Sequence, residues 1–250
     1  MSLFAELILI VAGILIALYI DGWVQDRQDR ARETAYLELL RDDLLIIEDE
    51  VAQYVAFQES IVATGKAFLD AVSSADSSAG QRSLQGMLSE ISVRRTLSID
   101  SAVYADLTST GNLQLIRDPE LRRHVVQYFA SVERSELIAE KNSKEYVDGI
   151  FVPFLLDAGV TINVDQSVLA AVAETSEALA ATLGTDFTWP RDNILQQSPR
   201  ASAWDDFRRQ VLFRMRIATG GRLIGERIIA STRELRAEIE KELSRRQRAQ

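Results

Sequence analysis

Few residues in this chain are of types that do chemistry. His124 is its one histidine, set in Leu121-Arg122-Arg123-His124-Val125, and there is no cysteine. A lone imidazole without thiolates cannot make the usual zinc site, and no Ser-His-Asp spacing runs through it. Lack of Cys also excludes disulfides and a cysteine nucleophile. His124 therefore reads as a structural or surface histidine. The densest acidic run holds Glu38, Asp42, Asp43, Glu48, Asp49 and Glu50. Glu38 and Asp42 are four apart on one helix face, where a hard cation such as Ca²⁺ could bridge them. Calcium, however, takes about six to eight oxygens, usually from a loop with a glycine turn. A solvated face, or a docking patch for a basic partner, is the better reading. Thr219-Gly220-Gly221-Arg222, with Gly225, lacks the strand and the Gly-Lys-Ser/Thr ending of a phosphate loop. It reads as a weak point in a helix or a close helix contact. No catalytic, cofactor or metal-binding residue is assigned, and the chain is not expected to be an enzyme.

The loop Phe187-Thr188-Trp189-Pro190-Arg191-Asp192 carries a different signal. Trp and Arg are enriched at interface hot spots, and Pro stiffens the loop. Trp189 and Arg191, with Phe151 and Phe154, are candidate partner contacts; the competing reading has Trp189 folded back onto its own core.

Two hundred and fifty residues, 47 % of them hydrophobic, can bury a sizeable core. The net charge of −9 argues against nucleic acid, whose binding rests on Lys and Arg neutralising phosphates. Only four prolines, and long stretches rich in Ala, Leu, Glu and Arg, predict an all-α protein.

The elements follow from periodicity and end signals. From Arg30 to about Ala71, Leu37, Leu40, Leu44, Ile47, Val51, Tyr54, Ile61 and Phe68 recur in steps of three and four, the stripe of one long helix packed along a seam. Ser73 to Gly80 should be a loop. Short helices are expected at Arg82–Ser92 and Ser98–Ser109, the second ending in a left-handed cap at Gly111-Asn112. Asp118-Pro119-Glu120 starts a helix reaching about Tyr146, which Phe151-Val152-Pro153-Phe154 breaks or kinks. Further helices are expected at Ser167–Leu183 and Ala201–Arg246, with a loop from Gly184 to Pro199. In the last helix, Arg233, Arg236, Lys241, Arg245, Arg246 and Arg248 alternate with Glu234, Glu238, Glu240 and Glu242, which predicts i,i+4 pairing on a solvated face.

What precedes Arg30 is of another kind. Leu3 to Trp23 is almost wholly apolar from Leu7 to Ile20, with Tyr19 and Trp23 at its far end. At a rise of about 1.5 Å per residue, roughly 20 residues match the ~30 Å hydrocarbon core of a bilayer. The segment lacks the basic start and A-x-A cleavage site of a signal peptide. An uncleaved transmembrane anchor over residues 1–24, followed by an extramembrane helical domain over 25–250, is the expected organisation. Tyr19 and Trp23 would sit at the membrane interface. Gly13 and Ala17 form a small-xxx-small pair that allows a second membrane helix to approach. Glu6 reads as interfacial.

The anchor Glu6-Leu7 … Gly13-Ile14-Leu15-Ile16-Ala17-Leu18 … Trp23 stands together with Ser109-Thr110-Gly111-Asn112-Leu113 … Leu115-Ile116 … Asp118 … Leu121-Arg122 and Tyr128. This combination resembles a domain-of-unknown-function family of bacterial single-pass membrane proteins, with an E-x-x-L-x-x-x-G-I-L-I-A-L anchor and a helical domain. The resemblance would cover most of the chain, implies a membrane-anchored helical protein, and carries no known activity. Family members often have a basic stretch before the anchor, which is missing here. By the positive-inside rule Arg27, Arg30 and Arg32 would hold the domain in the cytoplasm, whereas the resemblance favours the periplasm. The periplasmic side is adopted, with the cytoplasmic one as the alternative. The expected function is a non-catalytic accessory or scaffolding subunit of a larger inner-membrane complex, such as a respiratory assembly or a photosynthetic reaction centre with its light-harvesting ring. The alternative is a membrane-anchored sensor that binds a small ligand among its helices; it predicts a closed apolar pocket with a few converging polar groups, where the accessory reading predicts exposed apolar patches.

Overall fold

The computed structural model describes residues 3–73, 81–160 and 203–248, with side chains outside that set at 3–9, 81–83 and 203. The protein is all-α: every regular element among the described residues is a helix and none is a strand. In order these are α1 (Leu3–Ser73), α2 (Gln81–Ser92), α3 (Ala102–Ser109), a 3₁₀ turn (Asn112–Leu115), α4 (Pro119–Asn142), a π-helix (Ser143–Phe151), α5 (Val152–Asp157) and α6 (Ala203–Gln247). The apolar segment and the long stripe expected as its continuation form the single helix α1. The helix expected at Ser167–Leu183 and the loop at Gly184–Pro199 lie outside the described residues, as does most of the loop expected at Ser73–Gly80.

The buried face of α1 is a heptad seam. All eight stripe residues are buried, and the same rhythm takes in Glu33, Gln58 and Val72. Helix α6 has its own seam, Trp204, Phe207, Val211, Arg214, Ala218, then Ile228, Thr232, Leu235, Ile239 and Glu242. Alternating steps of three and four keep one face turned to a partner over the whole length of each helix.

Chain contacts divide the molecule into two compact units: Met1–Asp49, Ile99–Ser131 and Ala230–Gln250 in one, Glu50–Ser98 and Val132–Ile229 in the other. In the first unit Leu37, Leu40, Leu44 and Ile47 of α1 are buried, as are Leu121, Val125, Tyr128 and Phe129 of α4 and Leu235, Ile239 and Leu243 of α6. Tyr104 of α3 stacks on Phe129 with ring centres 4.0 Å apart, and the Tyr128 and Thr232 hydroxyls share a buried hydrogen bond of 2.7 Å. Burial holds the Tyr128 hydroxyl up at about 12, so it stays neutral.

Local signals place the short elements of this unit. Ser101 caps α3, its hydroxyl accepting from the Tyr104 N–H and donating to Asp43 at 2.8 Å. Gly111 follows α3 with φ 74°, a left-handed turn that glycine adopts without a Cβ clash. Asp118 caps α4 by accepting from the N–H groups of Glu120 and Leu121.

The second unit has one apolar cluster, drawn from Ile61, Phe68 and Val72 of α1, Leu84, Leu88 and Ile91 of α2, Phe151, Leu155 and Val160, and Trp204, Phe207 and Val211 of α6. The expected interruption near Pro153 takes the form of the π-helix. A proline ring clashes with the carbonyl four residues back, here that of Gly149. The Val152 N–H instead reaches the Val147 carbonyl five residues back, widening the turn just before the ring.

Two of the three glycines in this part of α6, Gly221 and Gly225, lie at close helix contacts in this unit. A Cβ on Gly225 would stand 2.6 Å from Cγ2 of Val55, and one on Gly221 2.8 Å from the Tyr54 hydroxyl. Gly220 has open space around it. Gly225→Ala should therefore cost about 1–3 kcal/mol through overpacking, whereas Gly220→Ala should stabilise by about 0.4–1 kcal/mol. Denaturant unfolding of the two variants side by side checks this; equal effects would contradict the close approach.

Candidate functional site

From Ile10 to Gln25 every residue of α1 is exposed. Ile10, Ile14, Leu15, Ile16 and Leu18 are each more than half exposed, and Tyr19 is 77 % exposed. These side chains lie all round the helix, so no rotation would hide them. Gly13 has nothing within 4 Å of where a Cβ would be, and Ala17 is exposed beside it. Continuous apolar surface of this kind marks a place where another apolar phase or partner belongs. The Arg27 guanidinium lies 5.7 Å from the Trp23 ring centre, a cation–π contact at the polar end of the segment. Among the described residues no helix is long and apolar enough to cross a membrane. The expected anchor begins on residues 3–9, whose side chains are outside the described set.

Immediately after this segment, α1 enters a charged junction. Glu33 is fully buried on the seam, one turn before Leu37. Its Oε1 accepts from the Arg117 backbone N–H and from Nη2 of Arg246, both at 2.6 Å. Arg117 also reaches back along α1 to Asp26 at 2.5 Å, and Arg246 is held a second time by Glu242 at 2.8 Å. The Arg117 hydrogen bond comes first in holding the Asp26 carboxyl below its ordinary value; burial opposes it and Arg30 adds to it. The bond from Glu33 is the main reason the Arg246 guanidinium is held above its ordinary value, against the effect of burial and with help from Glu242. The junction thus ties α1, the segment before α4 and the end of α6 together at the base of the exposed helix. Sequence reading passed over Glu33 because it sits among other charged residues; its signal was register, four before Leu37.

Asn112 donates to the Tyr36 hydroxyl at 3.0 Å, and that hydroxyl donates to Asp106 at 2.7 Å. The Gly-Asn-Leu segment is therefore an anchoring turn for α1. His124 meets Glu238 at 2.7 Å, a contact between α4 and α6. Of the acidic run, Asp43 binds Ser101, and Glu48 pairs with both Arg233 and Arg236, so these two serve internal contacts while Glu38 and Asp42 stay exposed. The basic residues of α6 accordingly combine pairing along their own helix with pairing to α1. Among the described residues no group of three or more His, Asp or Glu is placed to hold a metal.

The candidate partner contacts fare differently from one another. Phe151 is 1 % exposed and belongs to the core of the second unit, so it has no face to offer a partner. Phe154 is half-buried against Phe207, ring centres 4.7 Å apart. The widened turn before Pro153 directs both inward. Trp189 and Arg191 lie outside the described residues. Exposed apolar side chains that sequence reading had not singled out are Leu39, Leu45 and Ile46 in the first unit and Leu137, Ile138, Leu212 and Leu223 in the second.

No family model, curated protein or solved structure matches this chain.

Removing one partner of a buried ion pair leaves the other charge uncompensated. Glu33→Ala should therefore destabilise the first unit by about 3–5 kcal/mol, read by thermal or denaturant unfolding. Because the Asp26 carboxyl is depressed in the fold, its contribution is present above its unfolded value and disappears as pH falls through the folded one. A carboxyl NMR titration should place Asp26 below 3.8 in the native protein and nearer 3.8 in Arg117→Gln. An unchanged midpoint would remove Arg117 as the cause.

Proposed function

We propose that this chain is a non-catalytic accessory or scaffolding subunit of a larger bacterial inner-membrane complex. Its N-terminal helix serves as a single-pass anchor and its two packed units cover part of the complex's extramembrane face. The observation that carries the reading is the run from Ile10 to Ile20, apolar and exposed all round, in the same helix that forms the seam of both units. A helix hydrophobic on every side fits lipid or partner helices rather than water. Leu39, Leu45 and Ile46 add apolar surface of the kind a docking partner would cover. The helical units are assigned to the periplasm on the family resemblance; Arg27, Arg30 and Arg32 support the cytoplasm as the alternative.

The sensor reading calls for an apolar pocket of ligand size. Among the described residues, a cleft in the second unit holds about 10 Å³ and is lined largely by polar groups, far below the ~300 Å³ or more of a small-molecule site. Accessory function is preferred because the exposed apolar run of α1 is the feature that reading calls for.

Gentle detergent extraction of the native membrane, followed by sizing and mass spectrometry, should find the chain at fixed stoichiometry in a large assembly. Migration alone, or as a small homo-oligomer, would put the sensor reading first. Replacing Gly13 and Ala17 with Leu should reduce co-purification several-fold while leaving unfolding of the helical units unchanged, since Gly13 touches nothing within the chain. Undiminished co-purification would count against the anchor as the docking surface.

A further inference from the structure

On the side turned away from its buried seam, α1 carries a second line of residues at helical spacing. Ala35, Leu39, Asp42 and Ile46 follow in steps of four, three and four, and all four are exposed. Leu39 is 53 % exposed, Ile46 58 %, and Leu45 beside them 48 %. Single exposed apolar residues are ordinary on a protein surface, but three large ones on one face within two turns form a patch. A line with alternating steps of three and four is what a neighbouring helix packs against.

The rim of this line is acidic. Glu38, Asp42 and Asp49 are exposed on the same side. Between Ala35 and Asp49 the one cation is Arg41, which pairs with Asp42 at 2.8 Å. Its guanidinium is held above its ordinary value by Asp42 first, with burial opposing and with smaller help from Glu38 and Glu240, so its surroundings are negative. Asp43 and Glu48 are engaged within the unit, by Ser101 and by Arg233 and Arg236, and belong to its internal contacts.

Charge and distance select the occupant. A second copy would bring a like-charged face against this one, which is repulsive. Lipid is too far away on the anchor reading, on which this inference rests. There Tyr19 and Trp23 mark the membrane interface. At about 1.5 Å per residue Leu39 and Ile46 stand about 24 and 35 Å beyond Trp23 along α1, past a headgroup layer of about 5–8 Å. A protein partner that supplies cations answers both the apolar line and its acidic rim.

We propose that the face of α1 from Ala35 to Asp49 docks a basic amphipathic helix of a partner subunit, whose apolar stripe covers Leu39, Leu45 and Ile46 and whose Lys and Arg side chains meet the acidic rim. Apolar burial supplies the contact, and the charges set its register and the choice of partner.

The test uses the full-length chain in its native membrane, with photo-reactive p-benzoylphenylalanine placed at Ile46 in one variant and at Ile14 in another. Irradiation of the first should give one main adduct. Mass spectrometry of the joined peptide should find an excess of Lys and Arg, with apolar residues at helical spacing. Glu38→Lys combined with Asp42→Lys should reduce that adduct about tenfold, with the unfolding midpoint unchanged because both side chains are exposed. Salt at about 1 M, where the screening length is about 3 Å, should reduce it without either charge reversal, so the test does not depend on that variant folding. An adduct with lipid, with a second copy or with another part of the same chain would overturn the proposal. So would a joined peptide that is neutral or acidic, or an adduct indifferent to both salt and charge reversal. Adducts at position 14 with none at 46 would overturn it and leave the accessory reading standing; adducts at neither, with the chain migrating alone, would remove both.

Discussion

An isolated helix of 71 residues gains little from propensity alone; its persistence depends on what packs along it. In this protein that dependence concentrates on one seam, with a residue buried every three or four positions from Glu33 to Val72. In the first unit Glu33 meets Arg246 and Glu48 meets Arg236; in the second Phe68 meets Trp204 and Gly65 faces Met215. Within each unit, residue numbers along α1 rise as those along α6 fall, so the two helices run antiparallel there. The shorter helices then complete a core that the seam has already positioned.

Apolar seams tolerate sliding, because one Leu layer resembles the next. Polar members remove that freedom. Glu33, Thr232 and Glu242 are fixed in the first unit by specific hydrogen bonds, and Arg214 is fixed in the second by the Ile91 and Val93 carbonyls at the end of α2. Shifting either seam by one heptad would leave these groups buried without partners, at a cost of several kcal/mol each. They exchange some stability for a unique register. Close-packed glycines act in the same direction, since Gly221 and Gly225 admit Tyr54 and Val55 where any larger residue would push them away.

Sequence reading reached the parts of this arrangement that repeat. The α1 stripe, the Asp118 cap and the Gly111 turn each rest on a local rule, periodicity or backbone geometry, that tertiary context did not override. It missed the exceptions to the stripe. Glu33 and Arg214 look like ordinary surface charges unless they are counted in heptad phase, and their burial depends on partners 84 and 123 residues away. Phe151 and Phe154 looked like contacts on an irregular segment because Pro153 suggested a break. The helix widened instead of breaking, and it kept the Phe151 ring in the core and the Phe154 ring half-buried against Phe207. Trp204, the largest fully buried side chain, begins a helix where its neighbours gave no sign of core.

The π-helix has one more effect, on phase. Along this part of the second unit the buried residues run Val132, Ala139, Val147, Phe151 and Leu155. The first interval is seven residues, two regular turns, and the next is eight. One residue has been looped out of the rotational count, and everything after it is turned by about 100° relative to an unbroken α-helix. Without that slip the inward positions would fall one residue earlier, at Tyr146, Ile150 and Phe154, and the core would receive a larger aromatic ring where it now holds Leu155. The extra residue therefore works as a vernier, setting one helical sequence against a core that its own repeat would miss by a single step.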